Sequence, residues 1–174
     1  MLNPHLTYHS PRILLEVINN VILFVHNHEA TSDDDHNAIG EIYAEIAGNL
    51  TLCRTLVITD GGAPTREQRK VAQLRYGAQL KGTPISLISD TATMRFIGAT
   101  LTLVVRSMRV FTSKELGPAL EFLDLRTSEL GEVRQRLRTL AGKVPPDRFK
   151  TFRTLADREF AALARQPISG AAPR

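Results

Sequence analysis

The densest collection of reactive side chains is "HNHEATSDDDH", residues 26–36, with three histidines and four acids in eleven positions. Such a set could hold a divalent cation. On a strand, residues two apart point to the same face, so His26 and His28 could direct both imidazoles at one ion. A His-x-His pair after a strand and before a helix also opens many metallo-hydrolase sites. Those sites continue with an Asp and a His two and three residues later and draw further ligands from distant loops. Here the aspartates begin five residues after His28, and all five histidines lie at or before His36. Only acids such as Asp60 and Asp90 remain to complete a shell. The same letters read more simply as a strand end running into a helix. Ser32 suits the N-cap, and Asp33, Asp34 and Asp35 sit in a first turn where the helix dipole favours negative charge. Asp35, three residues after Ser32, closes a capping box. On this reading no metal and no other cofactor is expected.

A second chemistry-bearing stretch is "TDGGAPT", Thr59–Thr65. It leaves a short apolar strand and enters a helix. Gly61 and Gly62 permit unusual backbone angles and close approach, and free N–H groups at a helix start can cradle a phosphate or carboxylate. Neither GxGxxG nor GxxxxGK[ST] accompanies it, and Pro64 removes one donor. "SDTAT", Ser89–Thr93, repeats the geometry at the next strand end. In a parallel sheet the two turns would lie side by side at the carboxyl edge. Asp60, Gly61, Gly62, Thr65, Ser89, Asp90 and Thr91 are therefore the candidate binding residues. Thr65, Ser89, Thr91 and Thr93 offer hydroxyls for phosphorylation. Cys53 has no later histidine to activate it, and no Gly-x-Ser-x-Gly elbow exists. No catalytic residues are assigned, and a non-enzymatic protein is expected.

The elements that position these turns follow from periodicity. "RILLEVINN" and "VILFVHN" read as two strands joined at Asn19-Asn20, the second apolar enough to be covered on both faces. A helix follows Ser32, with Ile39, Ile42, Tyr43 and Ile46 on one side, and Gly48-Asn49 ends it. "RTLVITD" is a buried strand. Thr65 and Gln68 form a second capping box, opening a helix with Val71, Leu74 and Ala78 turned inward. "PISLIS" is a strand. Asp90 or Thr91 caps "ATMRFIGATLTLVVR", which reads as a helix despite its β-branched residues. "MRVF" is a strand, and Thr112 or Ser113 caps a helix through "TSKELGPALEFL". Strands alternating with helices imply an α/β fold with a four- to five-stranded, mostly parallel sheet.

Beyond Leu125 the composition changes. Residues 1–125 carry 11 Lys and Arg against 13 Asp and Glu, whereas residues 126–174 carry 11 against 5. The expected organisation is an α/β domain over 1–125 and a basic helical extension over 126–174. The extension reads as two helices split at Pro145-Pro146. One stripe is Leu130, Val133, Leu137 and Leu140, and the other is Phe149, Phe152, Leu155, Phe160 and Leu163. "PISGAAPR" reads as a frayed end. The cations (Arg134, Arg136, Arg138, Lys143, Arg148, Lys150 and Arg153) come without a nucleic-acid motif, so a solvated helical face is preferred to a nucleic-acid groove. A hydrophobic fraction of 43% allows a packed core. No apolar run reaches eighteen residues, which argues against a membrane span, and no basic-then-apolar leader opens the chain. One cysteine rules out an internal disulfide. A cytoplasmic location is expected.

The order strand–strand–helix–strand–turn–helix–strand–helix–strand–helix, with "LVITDGGAPTREQR", "ISLISDTATMRFIGATL" and "RVFTSKELGPALEFLDL", resembles the STAS-like family, the fold of bacterial anti-sigma-factor antagonists. The resemblance spans roughly Arg12–Leu125. It implies a bacterial signalling module that docks a protein partner without catalysis and is in some members switched by phosphorylation of a Ser or Thr. That hydroxyl starts the helix after the central strand, in an Asp-Ser-type turn. Asp60 matches the Asp, but Gly61 follows it, and the nearest hydroxyl at that helix start is Thr65. The alternative is a small-ligand or nucleotide-binding protein using the same rim. The apolar helix Phe96–Val105 could also form a homodimer surface.

Overall fold

The computed structural model describes residues 6–48, 53–97, 107–145 and 147–164, and side chains are described as far as residue 159 except those of 79 and 80. Its centre is a six-stranded sheet whose spatial order is its chain order, β1 (Thr7–His9), β2 (Ile13–Ile18), β3 (Val21–His26), β4 (Arg54–Thr59), β5 (Ile85–Ile88) and β6 (Met108–Phe111). The α/β class is as expected, but the sheet is larger and more mixed. β1–β2 and β2–β3 pair antiparallel, and β3–β4, β4–β5 and β5–β6 pair parallel. The additional strand, β1, is three residues long and lies at an edge. Its burial alternates between exposed and half-buried, and so short a polar segment has too few positions to show a strand period.

The hairpin turns at Asn19, which takes the left-handed backbone (φ 52°) that asparagine tolerates. Ile18 then faces Val21 across the two-residue connection. β3 is buried at five of its six positions and half-buried at Phe24, as its apolar run requires. The helices are α1 (Asp33–Ile46), α2 (Arg66–Leu80), α3 (described over 92–97), α4 (Leu116–Phe122), α5 (Thr127–Ala141) and α6 (Lys150–Ala164). Residues 98–105 of the expected Phe96–Val105 helix, Asn49, Pro146 and the 167–174 end lie outside the described residues.

Alternation along the strands sends two sets of side chains to opposite faces. On one face, Ile13, Leu15, Val17 and Ile22 pack with Ile42 and Ile46 of α1, with Ile39, Tyr43 and Tyr76 against them. On the other, Leu14, Leu23, Val25, Leu56, Ile58 and Ile88 pack beneath α4, α5 and α6 in a single cluster. Val133, Leu137 and Leu140 of α5 belong to it, as do Phe149, Phe152 and Leu155, so both expected stripes face the sheet; the side chains of Phe160 and Leu163 are not described. Several basic groups of this segment are committed locally. Arg136 Nε lies 2.8 Å from Glu16 of β2, and Arg153 pairs with Asp157 and donates to the Ala141 carbonyl.

Two expectations about helices need correction. In α2 the inward positions are Gln68, Ala72 and Tyr76; Val71, Leu74 and Ala78 face solvent, Leu74 being 78% exposed. The Thr65 cap sets Gln68 at N3, and the Gln68 amide then reaches the Thr31 carbonyl and Asp33, while the Tyr76 hydroxyl donates to the Gly40 carbonyl. These contacts outweigh the apolar stripe in setting the helix rotation. α4 begins at Leu116, later than a cap at Thr112 or Ser113 implies, because the Thr112 N–H and hydroxyl both donate to the Glu115 carboxylate and hold a turn before the helix.

Candidate functional site

Both predicted turns lie at the carboxyl ends of β4 and β5, neighbouring parallel strands. Gly61 and Thr91 come close: a Cβ built on Gly61 would be 3.9 Å from Thr91 Oγ1. The geometry accounts for both glycines. Gly61 has φ 111°, which side-chain-bearing residues rarely adopt. A Cβ on Gly62 would lie 2.3 Å from the Glu29 carbonyl oxygen and 2.4 Å from that of Asn27, so no larger residue fits without moving backbone.

The polar groups of the rim are bound to one another. The Gly61 N–H donates to Thr59 Oγ1 at 3.0 Å, and the Gly62 N–H to the Asn27 carbonyl at 2.8 Å. Thr65 Oγ1 accepts from the Gln68 N–H, and Gln68 Oε1 accepts from the Thr65 N–H. These four N–H groups already have acceptors. The Asp60 carboxylate accepts the N–H groups of Lys150 and Thr151, each at 2.7 Å, and so caps α6 from across the sheet edge. Asp90 accepts the Ser113 N–H at 2.9 Å. Ser89 is fully buried and its hydroxyl meets that of Thr91 at 3.1 Å. Of the candidates, Thr65 and Asp90 are exposed. The rim therefore assembles as expected, and its side chains tie backbone ends and helix starts together.

The cluster at 26–36 separates. His26 ends β3 and is 3% exposed, whereas His28 lies beyond the strand and is exposed. The chain bends at residues 28 and 29, so the strand rule no longer applies to the pair. Among the described residues no three His, Cys, Asp or Glu side chains are grouped so that they could hold a metal ion. The Ser32 capping box forms as expected. Asp35 is 1% exposed. Its carboxylate accepts from the Ser32 N–H and hydroxyl and from the Tyr8 hydroxyl, and Arg12 approaches to 3.7 Å. Burial pushes the carboxyl up, but hydrogen bonds from Ser32, Ser10 and Tyr8 outweigh it and hold the pKa at about 2. Cys53 is 2% exposed, and burial raises its thiol pKa against a smaller lowering by Arg54. A buried, protonated thiol is a poor nucleophile.

A cleft of about 1170 Å³ opens between the sheet and helices α1 and α2, with Met94 of α3 at its border. The strand row facing it on β4 is Thr55, Val57 and Thr59, while Leu56 and Ile58 fill the opposite face. On the helix side α2 offers Gln68 and Ala72. His26 lies on its floor. Burial lowers the His26 pKa, only partly offset by Asp35, Asp60 and the Gly62 and Glu29 carbonyls, so the ring is neutral near pH 7. The signal for the cleft was the Thr-x-Val-x-Thr alternation in β4, legible only once the face it presents is known. Comparison with protein-family models, with curated proteins and with solved structures gave no match.

Proposed function

We propose that this chain is a non-enzymatic protein-docking module of STAS-like type, with its docking face on α2 and α3 beside the rim. One observation carries the reading. The large apolar side chains exposed among the described residues are Val71 and Leu74 of α2 and Phe96 and Ile97 of α3, with Leu74 78% and Phe96 76% exposed. Apolar groups concentrated on two helices of one sheet face are what a partner surface supplies. The rim's part is architectural: Gly61, Gly62, Ser89 and Thr91 shape the turns that lead into α2 and α3, while Asp60 caps α6 and Asp90 holds the Ser113 N–H. Thr65, exposed at the head of α2, is the hydroxyl whose phosphorylation would place about two negative charges beside that face. The bacterial, cytoplasmic signalling setting rests on the family resemblance alone.

The test is a pair of charge substitutions, Leu74→Asp and Phe96→Asp, in the full chain. Light scattering after size exclusion measures self-association, and quantitative affinity capture measures retention of other proteins. The reading expects one specific complex, homomeric or heteromeric, reduced at least tenfold by either substitution. A wild-type chain that stays monomeric and retains nothing, or a complex indifferent to both substitutions, ends it.

A further inference from the structure

We infer that the partner docked by α2 is a second copy of this chain, seated across the outer faces of α1 and α2 about a two-fold axis that runs along both helices; this rests on the docking reading above. The two helices lie side by side, with the Tyr43 and Tyr76 rings 5.4 Å apart. They run in the same direction. The Gln68 amide reaches the Asp33 carboxylate near both starts, and the Tyr76 hydroxyl reaches the Gly40 carbonyl farther along. Residues 35 or 36 apart in sequence therefore stand level. Charge divides between the pair. α1 carries exposed Asp33, Asp34, Glu41 and Glu45 and no Lys or Arg. α2 carries exposed Arg66, Arg69, Lys70 and Arg75 against one acid, Glu67. Among the described residues none of these side chains takes part in an ion pair. An acidic ridge thus lies beside a basic one at the same height. Asp33 is level with the stretch between Arg66 and Lys70, and Glu41 with that around Arg75. Between the ridges runs a groove of about 390 Å³ lined by Gly40, Ala44, Val71 and Ala72, small side chains that leave room for the Leu74 of a second copy.

These features choose among partners. A polyanion laid on the cations of α2 would meet the acids of α1 beside them, and a polycation would meet the reverse. A second copy supplies both signs at the matching spacing. A two-fold interface sets one patch against itself, and the direction of the axis decides what meets what. With the axis along the helices, α1 of each chain lies over α2 of the other at equal height, acid on base twice. With the axis across them, α1 would meet α1 and α2 would meet α2, like charge on like. Complementarity selects the first arrangement. The ion pairs fix orientation, and burial of Val71 and Leu74, 38% and 78% exposed in the single chain, supplies the affinity.

The experiment uses the full chain and two double substitutions at exposed positions, Glu41→Lys with Glu45→Lys on α1, and Lys70→Glu with Arg75→Glu on α2. Circular dichroism checks that each variant folds. Sedimentation equilibrium from micromolar to submillimolar chain reads the dimer constant. A wild-type dimer is expected, and each variant alone should dimerise at least about tenfold more weakly, because like charges then face each other. Mixed in equal amounts, the two variants should form a heterodimer within about threefold of wild-type strength, since each reversed ridge meets the other's reversed ridge and each native ridge the other's native ridge. Restoration on mixing comes only from contacts between chains. A wild-type chain that stays monomeric at submillimolar concentration overturns the inference. So do variants that dimerise as strongly as wild type, or a mixture no stronger than its parts. If the monomeric chain retains another protein through Leu74, the docking reading stands and the second copy falls; if it retains nothing, both fall.

Discussion

Replacing Asp35 by asparagine tests whether the junction between β1 and α1 is held by a buried carboxylate. In the folded protein Asp35 accepts from Ser32 and Tyr8 and titrates near 2, against an ordinary value of 3.8. At about 1.4 kcal/mol per pH unit, that depression corresponds to roughly 2 kcal/mol of stability. A group whose folded pKa is depressed stabilises above its unfolded pKa and loses that contribution as the pH falls through the folded one. The gap in unfolding free energy between wild type and Asp35→Asn should therefore be flat from pH 7 to about 5 and shrink below pH 4. Linkage puts about 1 kcal/mol of it gone by pH 3 and nearly all of the roughly 2 kcal/mol gone by pH 2. Urea unfolding of both chains at pH 7, 5, 4 and 3, followed by circular dichroism, measures the gap. Because both chains share every other carboxylate, the difference isolates this one. A gap that is constant down to pH 3 would refute the assignment of stability to the ionised form.

Asp60→Ala should cost about 2 kcal/mol, since it removes two charge-assisted bonds to the start of α6, and hydrogen exchange should show α6 losing protection first; equal loss throughout the chain would contradict this. Gly62→Ala should cost roughly 3 kcal/mol, the upper end for a substitution that forces backbone apart, read as a lowered urea midpoint. Thr65→Ala should cost about 1 kcal/mol by opening the α2 capping box, with the exchange of the Gln68 amide as the local readout. Leu74→Asp should change stability by no more than about 0.5 kcal/mol because the side chain faces water; a larger loss would mean that the rotation of α2 described above is wrong.

The strands and capping boxes were legible because their signals are local. Ser32 with Asp35, and Thr65 with Gln68, each satisfy both of their partners within one turn of chain. The apolar runs of β2, β3 and β4 stand out by unbroken hydrophobicity and short length, both faces of β2 and β3 being buried. What was not legible depends on contacts far apart in sequence. The outward rotation of Val71 and Leu74 is set by Gln68 reaching Thr31 and Asp33, 37 and 35 positions away, and by Tyr76 reaching Gly40, 36 positions away. Asp60 reads as a binding residue because nothing nearby occupies it; its partners are 90 and 91 residues on. The shift in charge after Leu125 is real, yet packing continues across it, because Val133 and Phe152 share a cluster with Leu56. As for the candidate site, the rim's position was foreseen and its internal bonding was not. The cleft required knowing which face of β4 carries its threonines.

Coverage of the sheet also has a direction in time. One face is covered by α1 and α2, early in the chain, but Leu56, Ile58 and Ile88 wait for α4, α5 and α6. On a ribosome all six strands emerge before those last helices do, so the nascent polypeptide carries strands whose one oily side is bare. Such a species is sticky. Translation arrested at residue 125 should leave a product that binds chaperones and precipitates once freed, whereas arrest after residue 164 should release a chain that stays in solution.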